Sequence, residues 1–271
     1  MNWLLLKPIN VQSLLIVVAI VAVLAIVFAL LIVLVSKLCY VKTDERVDAV
    51  SSNLAGANCG GCGYAGCADY AKALVEGKTT LGCCGATSNE AKQEIAKILN
   101  IPFDATEKKL AIIHCAGGKN SLDKFNYVGN EGCVARSLLL GGGKVCSSAC
   151  LGGGTCATVC TNNAIVLKDD VAVVDRSACG GCGACVNACP KNLVKLIPIS
   201  AKVYVACSSN CKGKEVMSAC KVGCIGCGLC AKNCPQGAIE MVDNVAVIDY
   251  SKCSGCKVCV AKCPRKCIKE L

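Results

Sequence analysis

Two copies of one cysteine pattern, 74 residues apart, limit what this chain can fold into more than any other feature. Cys179-Gly-Gly-Cys182-Gly-Ala-Cys185-Val-Asn-Ala-Cys189-Pro190 recurs as Cys253-Ser-Gly-Cys256-Lys-Val-Cys259-Val-Ala-Lys-Cys263-Pro264. Three thiols at two-residue intervals can grip one face of a [4Fe–4S] cube, and the fourth reaches the other cube of a pair. The proline after it ends a short helix and turns the chain away. Upstream, Ala164-Ile165 and Val171–Asp175 recur as Ala238-Ile239 and Val245–Asp249. Such β-branched runs around a turn predict small hairpins, so each copy is expected to be a ferredoxin-like fold holding two clusters.

In the second copy, Cys224, Cys227 and Cys230 with Cys263 are expected to hold one cluster. Cys253, Cys256 and Cys259 with Cys234 hold the other. The first copy lacks one cysteine, because Gly153 stands opposite Cys227. Cys146 lies upstream and is read as its substitute, giving Cys146, Cys150, Cys156 and Cys189 for one cluster. Cys160, Cys179, Cys182 and Cys185 form the other. A three-iron or missing cluster at the first of these positions is the alternative.

A further group stands nearer the N-terminus. Cys59, Cys62 and Cys67 share one tight glycine-rich loop, where flexible backbone brings amides near sulfur, and Cys83 follows at a distance. Zinc knuckles would favour two paired Cys-x2-Cys units, which this segment lacks. The spacing leaves open whether Cys83 or its neighbour Cys84 is the fourth ligand. Helices are predicted over 69–76 and 90–99.

Residues 8–36 carry no charge, and the apolar stretch Leu14–Val35 would span about 33 Å as a helix, enough for a bilayer. The run is too long for a cleaved signal peptide and ends without a small-residue cleavage site. Trp3 suits the membrane interface. Lys37, Lys42 and Arg46 follow the helix and only Lys7 precedes it, so the C-terminal side is expected in the cytoplasm. Cluster assembly needs free thiolates and hence a reducing compartment, which agrees.

The chain of 271 residues has 28 cysteines but only 3 Phe, 6 Tyr and 1 Trp, too few bulky residues for a large apolar core. Bound metal is expected to supply the missing cohesion. The formal charge of +10 would ordinarily suggest nucleic acid. Five clusters at about −2 each would offset it, so no nucleic-acid partner is expected. His114 is the only histidine, which argues against haem and histidine-based metal sites. Gly141–Lys144 and Gly152–Gly154 fit neither the phosphate-loop nor the dinucleotide fingerprint.

The order of parts resembles the B subunit of Rnf-type complexes: one anchor helix, the Cys59–Cys67 loop, the Cys146–Cys160 run and the Cys-Pro-ended motifs. The resemblance covers essentially the whole chain. It implies an ion-translocating oxidoreductase that moves electrons between reduced ferredoxin and NAD⁺, with this chain as the entry point for ferredoxin electrons. The resemblance implies Cys59, Cys62, Cys67 and Cys83 for the first cluster and the ligands given above for the next two; the last two clusters rest on the internal repeat. One departure is Cys84-Gly85-Ala86, where the family tends to have prolines and glycines. Sodium or proton movement would belong to other subunits, since one helix without intramembrane charge makes no ion path. No independent catalytic site is expected.

The expected architecture is α+β. It comprises a transmembrane anchor (1–38), a linker (39–52), a [4Fe–4S] module (53–100) and a connecting segment (101–143). A first ferredoxin-like domain (144–198), an insertion (199–219) and a second ferredoxin-like domain (220–271) follow. The expected partners are the other subunits of the complex, soluble ferredoxin and the membrane, with the protein single-pass in the cytoplasmic (inner) membrane. Five clusters leave Cys39, Cys84, Cys115, Cys133, Cys207, Cys211, Cys220 and Cys267. A sixth cluster drawn from Cys115, Cys133, Cys207, Cys211 and Cys220 is the open question; Cys39 and Cys267 are not expected as ligands. The rival readings are a membrane-tethered polyferredoxin serving another reductase and a zinc-binding structural or assembly protein.

Overall fold

The computed structural model describes residues 11–38, 44–103 and 107–271. Trp3, Lys7, Cys39 and Lys42 lie outside them. Helix α1 (Val11–Leu38) is a unit by itself, and the chain from Glu45 onward forms a second unit. Leu15–Lys37 is long and apolar enough to cross a membrane. Its large side chains from Leu15 to Val35 are exposed on all sides, as lipid-facing residues would be.

The second unit has three small apolar cores instead of one large one. The first is helical: α2 (Glu45–Asn53), α3 (Cys67–Val75) and α4 (Asn89–Leu99) pack Val50, Tyr70, Leu74 and Ile95 together. Helix α2 occupies much of the stretch expected to be a linker. Val47, Val50 and Leu54 recur at helical spacing and turn one face of this otherwise polar segment inward. Helix α4 starts where the Ser88 hydroxyl accepts from the Ala91 amide, and stops at Asn100, which takes the left-handed conformation.

The other two cores belong to the repeats. In the first, β1 (Lys109–Ile113) is followed by the short helices α5 (Cys133–Leu138) and α6 (Thr155–Thr158). The hairpin β2 (Ile165–Lys168) and β3 (Val171–Val174), helix α7 (Ala184–Ala188) and β4 (Val194–Pro198) complete it. The second repeats this with β5 (Val203–Val205), α8 (Gly213–Ala219), α9 (Leu229–Lys232), β6 (Ile239–Val242), β7 (Val245–Ile248), α10 (Val258–Lys262) and β8 (Ile268–Glu270). The expected hairpins form in register, Ile165 opposite Val174 and Ile239 opposite Ile248. Asp169-Asp170 and Asp243-Asn244 turn them with positive φ at both residues, as a two-residue type I′ turn requires.

A second strand pair closes each repeat. β1 runs antiparallel to β4, and β5 antiparallel to β8. The segment expected to be a connector thus supplies one strand of the first fold, and the segment expected to be an insertion supplies one of the second. The cores are mostly Ile, Val, Leu, Ala and Cys: Cys150, Cys156 and Cys185 are buried in the first, and Cys224, Cys230, Cys259 and Cys267 in the second.

Candidate iron–sulfur centres

Short helices that begin just after a glycine or lysine in the left-handed conformation position most of the cysteines. Gly154, Gly183, Gly228 and Lys257 hold that conformation ahead of α6, α7, α9 and α10. The sharp bend lets thiols before and within the helix face one cavity. Cys160, Cys179, Cys182 and Cys185 line one cavity. Cys234, Cys253, Cys256 and Cys259 line another, smaller one. Cys224, Cys230 and Cys263 lie close enough for their charges to interact, and Cys227 is exposed on the loop before α9.

The remaining expected group is not brought together. A small cavity is lined by Cys150, Cys156 and Cys189, but its fourth thiol is Cys133, not Cys146. The electrostatic neighbours of Cys156 are Cys150, Cys133 and Cys189. Cys133 opens α5, and its amide donates to the Thr155 hydroxyl at 2.7 Å. A Cβ at Gly153 would lie 2.6 Å from the Cys133 amide nitrogen. The position that carries Cys227 in the second repeat is therefore glycine because another segment delivers the thiol there. Cys146 faces Cys115, Cys207 and Cys220 across a separate cavity. A sequence signal for this existed: Cys146 has its own counterpart 74 residues on, at Cys220, so it was no substitute for a missing residue. Cys133 stands in no motif, and its match 74 residues on, Cys207, lines the other cavity, so the offset was no guide there.

In the N-terminal module, Asn58 Oδ1 accepts from the Cys67 amide at 2.8 Å and folds the Cys59–Cys67 loop onto the start of α3. Cys62 and Cys67 pack against the same apolar cluster that buries Cys84. Cys84 Sγ lies 3.2 Å from the Thr87 hydroxyl. Cys83 is exposed, and hydrogen bonds from Thr80 and Thr79 hold its thiol below the usual range. Lys92 is buried beside this pair, and burial lowers its pKa.

Burial raises most of the enclosed thiols, Cys156 and Cys230 to about 11 and Cys185 to about 12. They would become thiolates only against strong positive charge, such as cluster iron supplies. Backbone amides point at several sulfurs: Ala164 at Cys160, Leu193 at Cys189 and Ala238 at Cys234, at 3.3, 3.4 and 3.4 Å. Amide donation of this kind stabilises sulfur that carries negative charge. Among the described residues no three Cys, His, Asp or Glu side chains converge closely enough to grip one metal ion. The donor set and the spacing across these cavities fit a cube better than zinc.

The N-terminal module and the first repeat meet through their cluster loops. A Cβ at Gly61 would lie 2.0 Å from the Cys182 carbonyl oxygen, and one at Gly85 would lie 2.2 Å from that of Gly181. The Cys59 and Cys182 thiols are within hydrogen-bonding reach.

Comparison with known proteins agrees with this geometry. Residues 54–85 match the family described as "Putative Fe-S cluster", and residues 146–193 and 223–267 match the 4Fe-4S dicluster domain. The chain is 38% identical to the B subunit of the ion-translocating oxidoreductase complex of Methanosarcina acetivorans, over 93% of this chain and 96% of the relative. It is 37% identical to the B subunit of the Na(+)-translocating ferredoxin:NAD(+) oxidoreductase complex of Acetobacterium woodii, over 95% of this chain and 78% of that one. The proton-translocating counterpart of Clostridium ljungdahlii is also 37% identical, over 96% and 93%. The chain belongs to the family of B subunits of Rnf-type ion-translocating oxidoreductases. As a member of that family it is a membrane-associated iron–sulfur electron-transfer subunit of an oxidoreductase complex, and its dicluster domains are of the [4Fe–4S] type. Its thiol cavities fall within or beside the matched segments. Cys115 and Cys133, which line two of them, precede the first dicluster match.

Proposed function

We propose that this chain carries electrons from reduced ferredoxin toward the partner that reduces NAD⁺, in a complex that moves Na⁺ or H⁺ through its other subunits. Its soluble part would lie on the cytoplasmic side of the inner membrane, as Lys37 at the end of α1 and Arg46 beyond it suggest. Bound clusters supply one-electron chemistry at potentials that protein hydrogen bonds and burial adjust; the chain's own residues hold, space and shield them.

Five sites follow from the thiol groups. Cys59, Cys62 and Cys67 form the first with one thiol of the Cys83-Cys84 pair. The burial of Cys84 on the apolar cluster shared with Cys62 and Cys67 favours Cys84 over Cys83. The second is Cys133, Cys150, Cys156 and Cys189, and the third is Cys160, Cys179, Cys182 and Cys185. Cys224, Cys227, Cys230 and Cys263 form the fourth, and Cys234, Cys253, Cys256 and Cys259 the fifth. The observation that carries the relay is the close approach of the Cys59–Cys67 loop to Cys182 at Gly61, where ligands of two neighbouring modules meet. At the other end Cys256 is exposed, which supports the second repeat as the face that ferredoxin meets.

The test is to purify the full chain in detergent without oxygen, reconstitute it and titrate it with reduced ferredoxin. Iron and acid-labile sulfide are counted on the same sample. Bleaching of the visible absorbance with about twenty irons or more per chain is the expected result. A brown chain that ferredoxin fails to bleach would overturn the donor. A folded, colourless chain containing zinc would overturn the carrier.

A further inference from the structure

Outside its own pair of sites the first dicluster fold leaves Cys115 and Cys146 and the second leaves Cys207, Cys211, Cys220 and Cys267, and four of these six converge. Cys115 lies two residues past the end of β1, and Cys207 two residues past the end of β5. Cys146 lies four residues before Cys150, and Cys220 four residues before Cys224. The two folds thus offer matching pairs, and all four cysteines line one small cavity. It is of the same small size as the cavity of Cys234, Cys253, Cys256 and Cys259 and that of Cys133, Cys150, Cys156 and Cys189. No carboxylate or imidazole joins the lining.

We propose that Cys115, Cys146, Cys207 and Cys220 hold a sixth [4Fe–4S] cluster, shared by the two dicluster folds across their seam. The donor set is the four thiols such a cluster takes. The backbone is arranged as at the other sites: the amides of Gly117 and Cys150 each point at Cys115 Sγ from 3.4 Å, and the Cys224 amide points at Cys207 Sγ from 3.3 Å. Gly117 is pressed against both halves; a Cβ there would lie 3.5 Å from Cys115 Sγ and 3.6 Å from Cys220 Sγ. The seam is knitted on the same spot. The Leu122 amide donates to the Ala219 carbonyl, the Lys221 amide to that of Asn120, and the Ser208 hydroxyl to that of His114. Cys211 is near enough to Cys146 to affect its charge but does not line the cavity.

The position gives the site its role. Cys150, whose amide reaches Cys115, is a ligand of the second site, and Cys224, whose amide reaches Cys207, is a ligand of the fourth. In that respect the proposal rests on the five-site reading. The shared site is the link between two cluster pairs that would otherwise form separate relays.

The full-length chain, purified without oxygen and reconstituted, is assayed for iron, sulfide and zinc, and its reduced EPR spectrum is recorded. The wild type is expected to hold about 24 irons. Cys115→Ala, Cys220→Ala and the double variant should each lose the same four or so irons, because four thiols share one cube, while Cys211→Ala keeps the full count. A wild-type count of about twenty overturns the proposal, as do unchanged iron in the variants or one zinc per chain. A variant that loses all its iron has failed to fold, and the wild-type count then decides. Cys256→Ala tests the five-site reading separately: unchanged iron there would break that reading without touching the seam.

Discussion

Gly181 and Gly255 hold the same position in the two dicluster folds, but they meet different neighbours. A Cβ on Gly181 would lie 2.2 Å from the Lys109 carbonyl oxygen, and the Gly85 backbone is pressed against the Gly181 carbonyl. A Cβ on Gly255 would meet only the flexible side chain of Lys202. The adjoining thiols follow suit: Cys182 is covered by the N-terminal module, whereas Cys256 is exposed. One local motif is thus packed against a neighbouring module in the first fold and turned outward in the second. What differs is the chain packed over it. The inner cavities show the same contrast, since the first fold imports Cys133 from α5 at a place where the second carries Cys227 in its own motif.

The largest expected effect bears on that import. Cys133→Ala should lose the same four or so irons as Cys189→Ala, counted after reconstitution. Gly153→Cys, which restores the second-repeat pattern, should not rescue it, because the new Cβ collides with the residue 133 backbone. A rescued iron count would erase the distinction between the folds.

Gly61→Ala should weaken the covered end. Forcing a methyl against the Cys182 carbonyl would cost about 1–3 kcal/mol, read as a lower denaturant midpoint. Gly255→Ala is expected to do less, because Lys202 can swing aside even though the left-handed backbone remains strained there. Equal losses would mean that the module does not clamp the first fold.

A third difference lies beside the fourth site, where Cys267 replaces Leu193. Cys267 Sγ is 3.5 Å from Cys263 Sγ, and it donates to Cys224, whose thiol is pulled down by that bond. Cys267→Leu removes a donor to ligand sulfur and should lower the potential of that cluster. A hydrogen bond of about 1 kcal/mol corresponds to on the order of 40 mV for one electron. A redox titration followed by EPR reads the shift, and an unchanged potential would show that this thiol only fills space.

The smallest effect concerns Lys257, which stands where the first fold has Gly183, at a φ of 62°. Lys257→Gly should relieve the left-handed strain, worth about 1 kcal/mol, and lose an exposed ion pair with Glu270 worth less. A slight rise in the denaturant midpoint is expected, and a fall would rank the ion pair above the strain.

Much of this was legible in the residues. The hairpins followed from β-branched runs around a turn, and helices α3 and α4 were expected within a residue or two of where they form. The missing pieces share one physical character. Helix α2 was hidden because only three apolar residues carry its buried face. Strands β1 and β5 lie outside the cysteine motifs and pair with partners far along the chain, which local pattern does not reveal. Cys133 and Cys115 stand alone in sequence and acquire meaning only when folding carries them to thiols from elsewhere.

The order of residues was enough to establish that this chain binds [4Fe–4S] clusters, that it carries one helix fit to span a membrane, and that its second half is a duplicated fold. Thiols two and three residues apart are held together by covalent geometry, so spacing alone identifies the chemistry. Tertiary packing decided that Cys133 enters the first fold's inner cavity, that Cys146 leaves it for the seam, and that glycine at 61 and 85 brings two cluster loops into contact. Those groupings join residues through space, and their partners are fixed by how β1, β5 and α5 pack, which no local spacing encodes.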